Sequence, residues 1–245
     1  MAADPDGPRQ LPLDLALPAR RGADDYVVGD ANRAAHDLVC AWPDWPSPVV
    51  LLVGPEGAGK SHLAAIWAER AGARVVPAGR LADLDPVALA GAPVVVEDLG
   101  PGLDETALFH LINAARQSGR PLLLTARKAP AAWAIALPDL ASRLRAATPA
   151  TLDEPDDALL EAVLAKLFAD RQTTVDPQVP RFLARRIERS YRAANLLVDA
   201  LDRAALAAKA PITKAFAARL IRADWAREPE LPGLDGEAES DHNPS

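Results

Sequence analysis

Residues 54–61 read Gly54, Pro55, Glu56, Gly57, Ala58, Gly59, Lys60 and Ser61, which satisfies G-x-x-x-x-G-K-[ST]. The glycines allow a tight turn whose backbone N–H groups converge on one phosphate. Lys60 adds a positive charge for the β- and γ-phosphates, and the Ser61 hydroxyl can coordinate Mg²⁺. A second requirement of phosphate chemistry is an acid at the end of another strand, to hold Mg²⁺ through water and orient a nucleophile. The run Val94-Val95-Val96-Glu97-Asp98 supplies two. The usual order is Asp followed by an acid. Glu97 in the first place lengthens the side chain at the metal and implies slow hydrolysis.

These residues need a frame. The apolar run Val49–Val53 precedes the loop, and an amphipathic stretch from Ser61 to Ala71, carrying Leu63, Ile66 and Trp67, follows it. Further strands are expected at Arg74–Val76, Val94–Glu97, Leu122–Thr125 and Thr148–Leu152. Helices are expected at Asp104–Ser118 and Asp139–Ala146. Strand–helix alternation of this kind predicts an α/β domain, a parallel sheet with helices on both faces. After Pro155 the strands stop. Helices are expected at Asp156–Ala169, Pro177–Arg189, Arg192–Ala208 and Ile212–Trp225, a small C-terminal α-helical lid. The expected organisation is an arm over 1–24, the nucleotide-binding α/β domain over 25–152, the lid over 153–227 and a disordered acidic tail over 228–245.

Composition narrows the function classes. The chain has 245 residues, 49% hydrophobic and 25% charged, enough for one or two cored domains. No apolar run approaches the roughly 20 residues of a membrane span, and the N-terminus lacks the pattern of a secretory signal. The single cysteine, Cys40, excludes an internal disulfide, so a reducing cytoplasm is expected. The net charge is −7, and Glu228, Glu230, Asp235, Glu237, Glu239 and Asp241 carry six of those charges in a segment without Lys or Arg. The remainder is near neutral, which argues against a broad face for duplex nucleic acid.

Four further segments carry a family resemblance. Tyr26-Val27-Val28-Gly29-Asp30-Ala31-Asn32 precedes the first helix; Thr125 closes a strand; Leu137–Leu144 contains Arg143; and Tyr191–Leu196 contains Arg192. In order and spacing these segments resemble the AAA+ module of the bacterial initiator DnaA, over about Tyr26–Trp225. The resemblance implies an AAA+ P-loop fold, with Tyr26, Val27 and Val28 against adenine and Asp30 as a helix N-cap. It implies Thr125 as sensor 1 on the γ-phosphate or its water, and Arg192 as the sensor 2 arginine. Arg143 becomes a finger facing a neighbour's nucleotide, and His62 joins the loop residues 54–61 in the nucleotide site. Ser61, Glu97 and Asp98 would serve Mg²⁺, with ADP or ATP as the nucleotide.

The chain shows no helix-turn-helix domain after the lid and no long N-terminal domain, so within that superfamily it resembles the Hda family of DnaA-homologous regulators. Gln10-Leu11-Pro12-Leu13-Asp14-Leu15 fits Q-L-x-L-x-L and resembles the hexapeptide that binds the bacterial sliding clamp, the DNA polymerase III beta subunit. An extended peptide of this kind sets a Gln amide in a polar subsite and Leu11, Leu13 and Leu15 against apolar surface. The implied partners are the clamp and DnaA, with DNA reached only through the clamp. The implied function is to stimulate ATP hydrolysis by DnaA and so prevent over-initiation of chromosome replication. Two alternatives stay open: a helicase-loader-type AAA+ ATPase acting on its own nucleotide, and an adaptor that only tethers proteins to the clamp. The resident nucleotide and homodimer formation are left open as well.

The remaining candidates have plainer expectations. Trp42, Trp45, Trp67, Trp133 and Trp225 are scattered in sequence and are expected to pack. His36, His62 and His110 lack metal-ligand spacing. Arg181, Arg185, Arg186 and Arg189 form a stripe at helical spacing, the pattern of a solvated face.

Overall fold

The computed structural model describes residues 26–222. The clamp-type motif Gln10–Leu15, the acidic segment and Trp225 lie outside the described residues. In chain order the elements are α1 (Arg33–Cys40), β1 (Val49–Val53), α2 (Lys60–Ala71), β2 (Arg74–Pro77), α3 (Pro86–Leu89) and β3 (Val94–Leu99). There follow α4 (Glu105–Ser118), β4 (Leu122–Ala126), α5 (Pro138–Arg145), β5 (Thr148–Thr151), α6 (Asp157–Asp170), α7 (Gln178–Ala184), α8 (Tyr191–Ala208) and α9 (Lys214–Arg222).

The strands form one sheet in the order β2-β3-β4-β1-β5. β2 with β3, β3 with β4 and β4 with β1 pair in parallel, Val49 opposite Leu122 and Val94 opposite Arg74. Parallel strands covered on both faces favour apolar residues throughout, which is why β1 reads as an unbroken apolar run and β4 as one broken only by Thr125. Val49, Leu51, Val94, Val96, Leu122 and Leu124 pack with Leu108, Leu111, Ile112, Leu140 and Leu144 of α4 and α5 in one core. The alternate residues Val50, Leu52, Val95 and Leu123 are equally buried on the opposite face, where α2 lies against β3 and β4. The predicted α/β class is the observed one.

Packing divides the chain into two compact units. Of the described residues the first comprises Tyr26, Ala35–Val53 and Lys60–Ala150; the second comprises Val27–Ala34, Gly54–Gly59 and 151–222. The second has its own core, built on Leu160, Leu164, Phe168, Val179, Leu183, Leu197, Leu201 and Ile212, with Val27 and Ala31 packed against it.

Several boundaries differ from the sequence expectation. α7 stops at Ala184 and not at Arg189, because the N–H groups of Arg186 and Ile187 both fold back onto the Leu183 carbonyl. Ser190 must then be extended, at φ −143° and ψ 145°, so that its hydroxyl caps Ala193 at the head of α8. Ile212 does not begin α9: it pairs as a short parallel bridge with Val175, and the Thr213 hydroxyl accepts from Phe216 N–H at the true helix start. The residues between β2 and β3, expected only as a connection, form a 3₁₀ turn over Ala78–Asp83 and the four-residue α3, which Asp85 caps through Val87 N–H.

Candidate functional site

Within the first unit, α2 begins at Lys60, so the helix N-terminus and the lysine are presented together. Lys60 is only 7% exposed. A buried cation at a helix N-terminus favours an incoming anion twice over, by its charge and by the helix N–H groups.

The acids at the end of β3 are shaped by a bulge. The register with β4 shifts between Val96 and Leu99, and Asp98 takes a left-handed conformation at φ 61°. Such a φ costs a non-glycine residue about 1 kcal/mol. Thr125, 0% exposed in β4, holds the bulge: its Oγ1 accepts the Asp98 N–H at 3.0 Å. The bulge lets Val96 and Leu99 share the core face, while the carboxylate of Asp98 is turned out to solvent and Glu97 is half-buried. Among the described residues neither carboxylate has an ion-pair or hydrogen-bond partner. Two unengaged acids on one strand end, in the same unit as the Ser61 hydroxyl, fit a water-bridged Mg²⁺.

Tyr26 is buried between two imidazoles. Its ring stacks on His36, with centroids 5.6 Å apart and planes at 14°, and meets His62 edge-on at 5.2 Å. His62 thus packs against the aromatic that was expected to meet adenine. Three of the tryptophans expected to pack do so against one another. Trp45 stacks on Trp67 at 4.9 Å and Trp42 meets it edge-on at 6.3 Å, because the loop before β1 folds over α2. Arg70 binds this cluster from α2, its guanidinium 5.8 Å from the Trp42 ring while donating to the Cys40 carbonyl at 2.7 Å. Burial pushes the Cys40 thiol pKa up, against a smaller opposing effect of Arg70.

Arg143 is exposed on α5, which is anchored by buried Leu140 and Leu144. The entry to α5 is tied down by Glu105 at the start of α4, whose two carboxylate oxygens accept from Ala136 N–H (2.9 Å) and Leu137 N–H (2.7 Å). Among the described residues Arg143 has no acid partner. The guanidinium is therefore presented on a rigid support.

Within the second unit, the loop Gly54–Gly59 packs on the start of the lid. A Cβ on Gly57, at φ 75°, would lie 2.5 Å from Ser190 Cβ, and one on Gly54 would lie 2.5 Å from the Leu152 carbonyl oxygen. Only glycine permits either approach. The Gly57 carbonyl accepts the Tyr191 N–H at 2.9 Å, and Arg192 Nη1 lies 3.2 Å from Glu56 Oε1. The arginine expected to reach bound phosphates thus pairs with a residue of the phosphate loop itself.

Asn32, 1% exposed, joins the segment after Tyr26 to the same helix. Its Oδ1 accepts Gly29 N–H at 2.8 Å; its Nδ2 donates to the Val27 carbonyl and to the Tyr191 hydroxyl oxygen, both at 2.9 Å. Burial pushes the Tyr191 pKa up to about 12, outweighing the lowering effect of the Asn32 hydrogen bond. The turn closed by Asn32 also displaces the expected N-cap. Asp30 stands a turn before α1, and its nearly fully exposed carboxylate sits 3.9 Å from Arg33. Asn32, Ser190, Tyr191 and Glu105 were not singled out for structural roles from sequence. Asn32 and Tyr191 were read only as parts of motifs, although a short amide beside a helix start is a turn signal in itself.

No protein-family model matches the chain. Similar solved structures are numerous. Domain III of the replication initiation protein DnaA from Thermotoga maritima superposes with a TM-score of 0.71 at 17% identity, over 84% of this chain and 98% of that one. AMPPCP-bound DnaA from Aquifex aeolicus gives 0.67 at 15% identity, over 76% of this chain and 66% of that one. The Holliday junction branch migration motor RuvB from Thermotoga maritima gives 0.55 at 19% identity, over 71% of this chain and 61% of that one. The chain has the AAA+ fold of DnaA domain III.

Proposed function

We propose that this chain is an Hda-type regulator of replication initiation, which offers Arg143 to ATP held by DnaA. The observation that carries the reading is Arg143 itself, exposed, without an acid partner among the described residues and fixed on an anchored helix in a DnaA-like fold. A guanidinium supplied by a neighbouring molecule can form a bidentate fork on developing phosphate charge, worth roughly 10³ to 10⁵ in rate. The chain's own loop and Lys60, with Arg192, would bind ADP or ATP, while Ser61 with Glu97 and Asp98 would hold Mg²⁺. The metal, when bound, neutralises phosphate charge. Gln10–Leu15 would dock the molecule on the sliding clamp and so bring it to DNA.

The test is single-turnover hydrolysis of ATP pre-bound to DnaA, at saturating clamp and DNA. Wild-type protein should accelerate it. Arg143→Ala should lose the acceleration while keeping nucleotide binding, and Arg143→Lys should fail as well, because an ammonium cannot form the fork. An unchanged rate with Arg143→Ala would overturn the reading and make Arg145 the next residue to replace. The helicase-loader-type alternative draws support from the Thr125–Asp98 bulge, which prepares acids on this chain's own strand. It requires turnover by the chain alone that Asp98→Asn abolishes.

A further inference from the structure

α7 and α9 lie against each other, and neither contains an acidic residue. Together with the two residues after α7 they expose Arg181, Arg185, Arg186, Lys214, Arg219 and Arg222. Among the described residues none of these cations is ion-paired, whereas Arg33, Arg80, Lys166, Arg171, Arg189 and Arg192 all are. Most of the unpaired positive charge described in the second unit thus lies on these two helices and the turn after α7; Arg203 and Lys209 are the other exposed, unpaired cations there. The charge on the two helices is also held in place. The Phe182 ring on α7 carries Arg186 at 4.0 Å and Lys214, from α9, at 5.4 Å, and Phe216 carries Arg219 at 5.2 Å. Aromatic faces fix the cations by their quadrupole, and Arg186 is held further by donating from Nη1 to the Phe182 carbonyl at 3.0 Å. Like charges converging on one ring repel unless an anion sits between them.

We infer that this face is the docking site of the chain's own acidic segment, Glu228–Asp241. Its six acids answer six cations, and apart from them the whole chain is nearly neutral. The segment begins six residues beyond Arg222, the end of α9. Six extended residues reach about 20 Å and the fourteen residues 228–241 about 45 Å, against about 14 Å for α9, so the segment can cover both helices. A short tether gives an effective concentration in the millimolar range, which compensates for the weakness of each exposed ion pair. The contact is electrostatic, so salt releases it. A stronger polyanion displaces it. This inference is independent of the proposed action on DnaA.

The experiment uses the full chain. Zero-length carbodiimide coupling at low salt should join a carboxylate of 228–241 to Lys214 Nζ within the monomer, with little coupling to Lys209, which has a comparable tether. The link should vanish at high salt. Absence of the link, equal coupling to Lys209, or a link found only in dimers would overturn the inference. A second arm replaces the six acids by Gln or Asn and measures binding of an oligothymidine by fluorescence anisotropy. Affinity should rise about tenfold, and Arg181→Gln with Arg185→Gln and Arg186→Gln should remove the gain. Equal oligothymidine affinity in wild type and the neutralised variant would overturn it too, since the face would then not be covered.

Discussion

The Thr125 hydroxyl accepts the backbone N–H of Asp98 across neighbouring strands, at 3.0 Å. A side chain of one strand thereby supplies the partner that a bulge removes from the next. Without it the Asp98 amide would sit part-buried and unpaired, in a backbone conformation that is already unfavourable. The residue expected to sense phosphate from sequence has a structural task in the same place.

Thr125→Val should therefore destabilise the chain by about 1–3 kcal/mol, the cost of an unmade buried hydrogen bond. Thr125→Ser keeps the hydroxyl and should lose less. Urea unfolding midpoints read the difference, and equal losses for the two variants would contradict the strap.

Gly57→Ala should destabilise the second unit and weaken nucleotide binding together. The left-handed φ costs about 1 kcal/mol, and the new methyl must also displace Ser190. Calorimetric titration with ADP beside a thermal melt tests both. Ser190→Ala should not rescue the melt, since the conflict is with Ser190 Cβ and the cap would be lost as well.

Tyr191 gives stability a pH dependence of known sign. Its folded pKa is about 12 against an ordinary value of 10, so the folded state keeps a proton that the unfolded state gives up. Its contribution is fully present below pH 10 and declines as pH rises towards 12, by about 2 kcal/mol or less because the ring is partly exposed. Tyr191→Phe should be slightly less stable than wild type at pH 8, having lost the Asn32 contact, and should fall less steeply above pH 10. Parallel slopes in denaturant titrations would refute this.

On the proposed clamp reading, replacing Gln10, Leu11 and Leu13 by Ala should abolish clamp binding and leave the thermal transition and nucleotide affinity unchanged. Retained clamp binding in surface plasmon resonance would dismiss the motif.

The parts that could be read from sequence are those where one local signal suffices. β1 is an uninterrupted apolar run whose bounds in sequence and structure coincide, and α4 and α6 start just after Asp104 and Asp156, whose carboxylates cap them. The phosphate loop, with its lysine at a helix head, is a local motif too. What stayed hidden depends on distant partners. Asn32 meets Tyr191 across 159 positions, and no periodicity announces such a pair. The bulge at Glu97–Asp98 breaks the alternation of β3 for the sake of a threonine on β4. The tryptophans looked scattered because proximity in the fold is set by the loop before β1, whose path carries no sequence period.

The meeting of Trp45 with Trp67 has an optical consequence. Two indoles stacked at 4.9 Å, with planes at 23°, couple their excited states, and a third indole lies edge-on beside them. Trp67 belongs to the helix that starts at Lys60, so any displacement of that helix on phosphate capture alters the coupling. The native protein therefore carries an unlabelled reporter of the proposed nucleotide seat, legible in near-ultraviolet circular dichroism and in tryptophan emission.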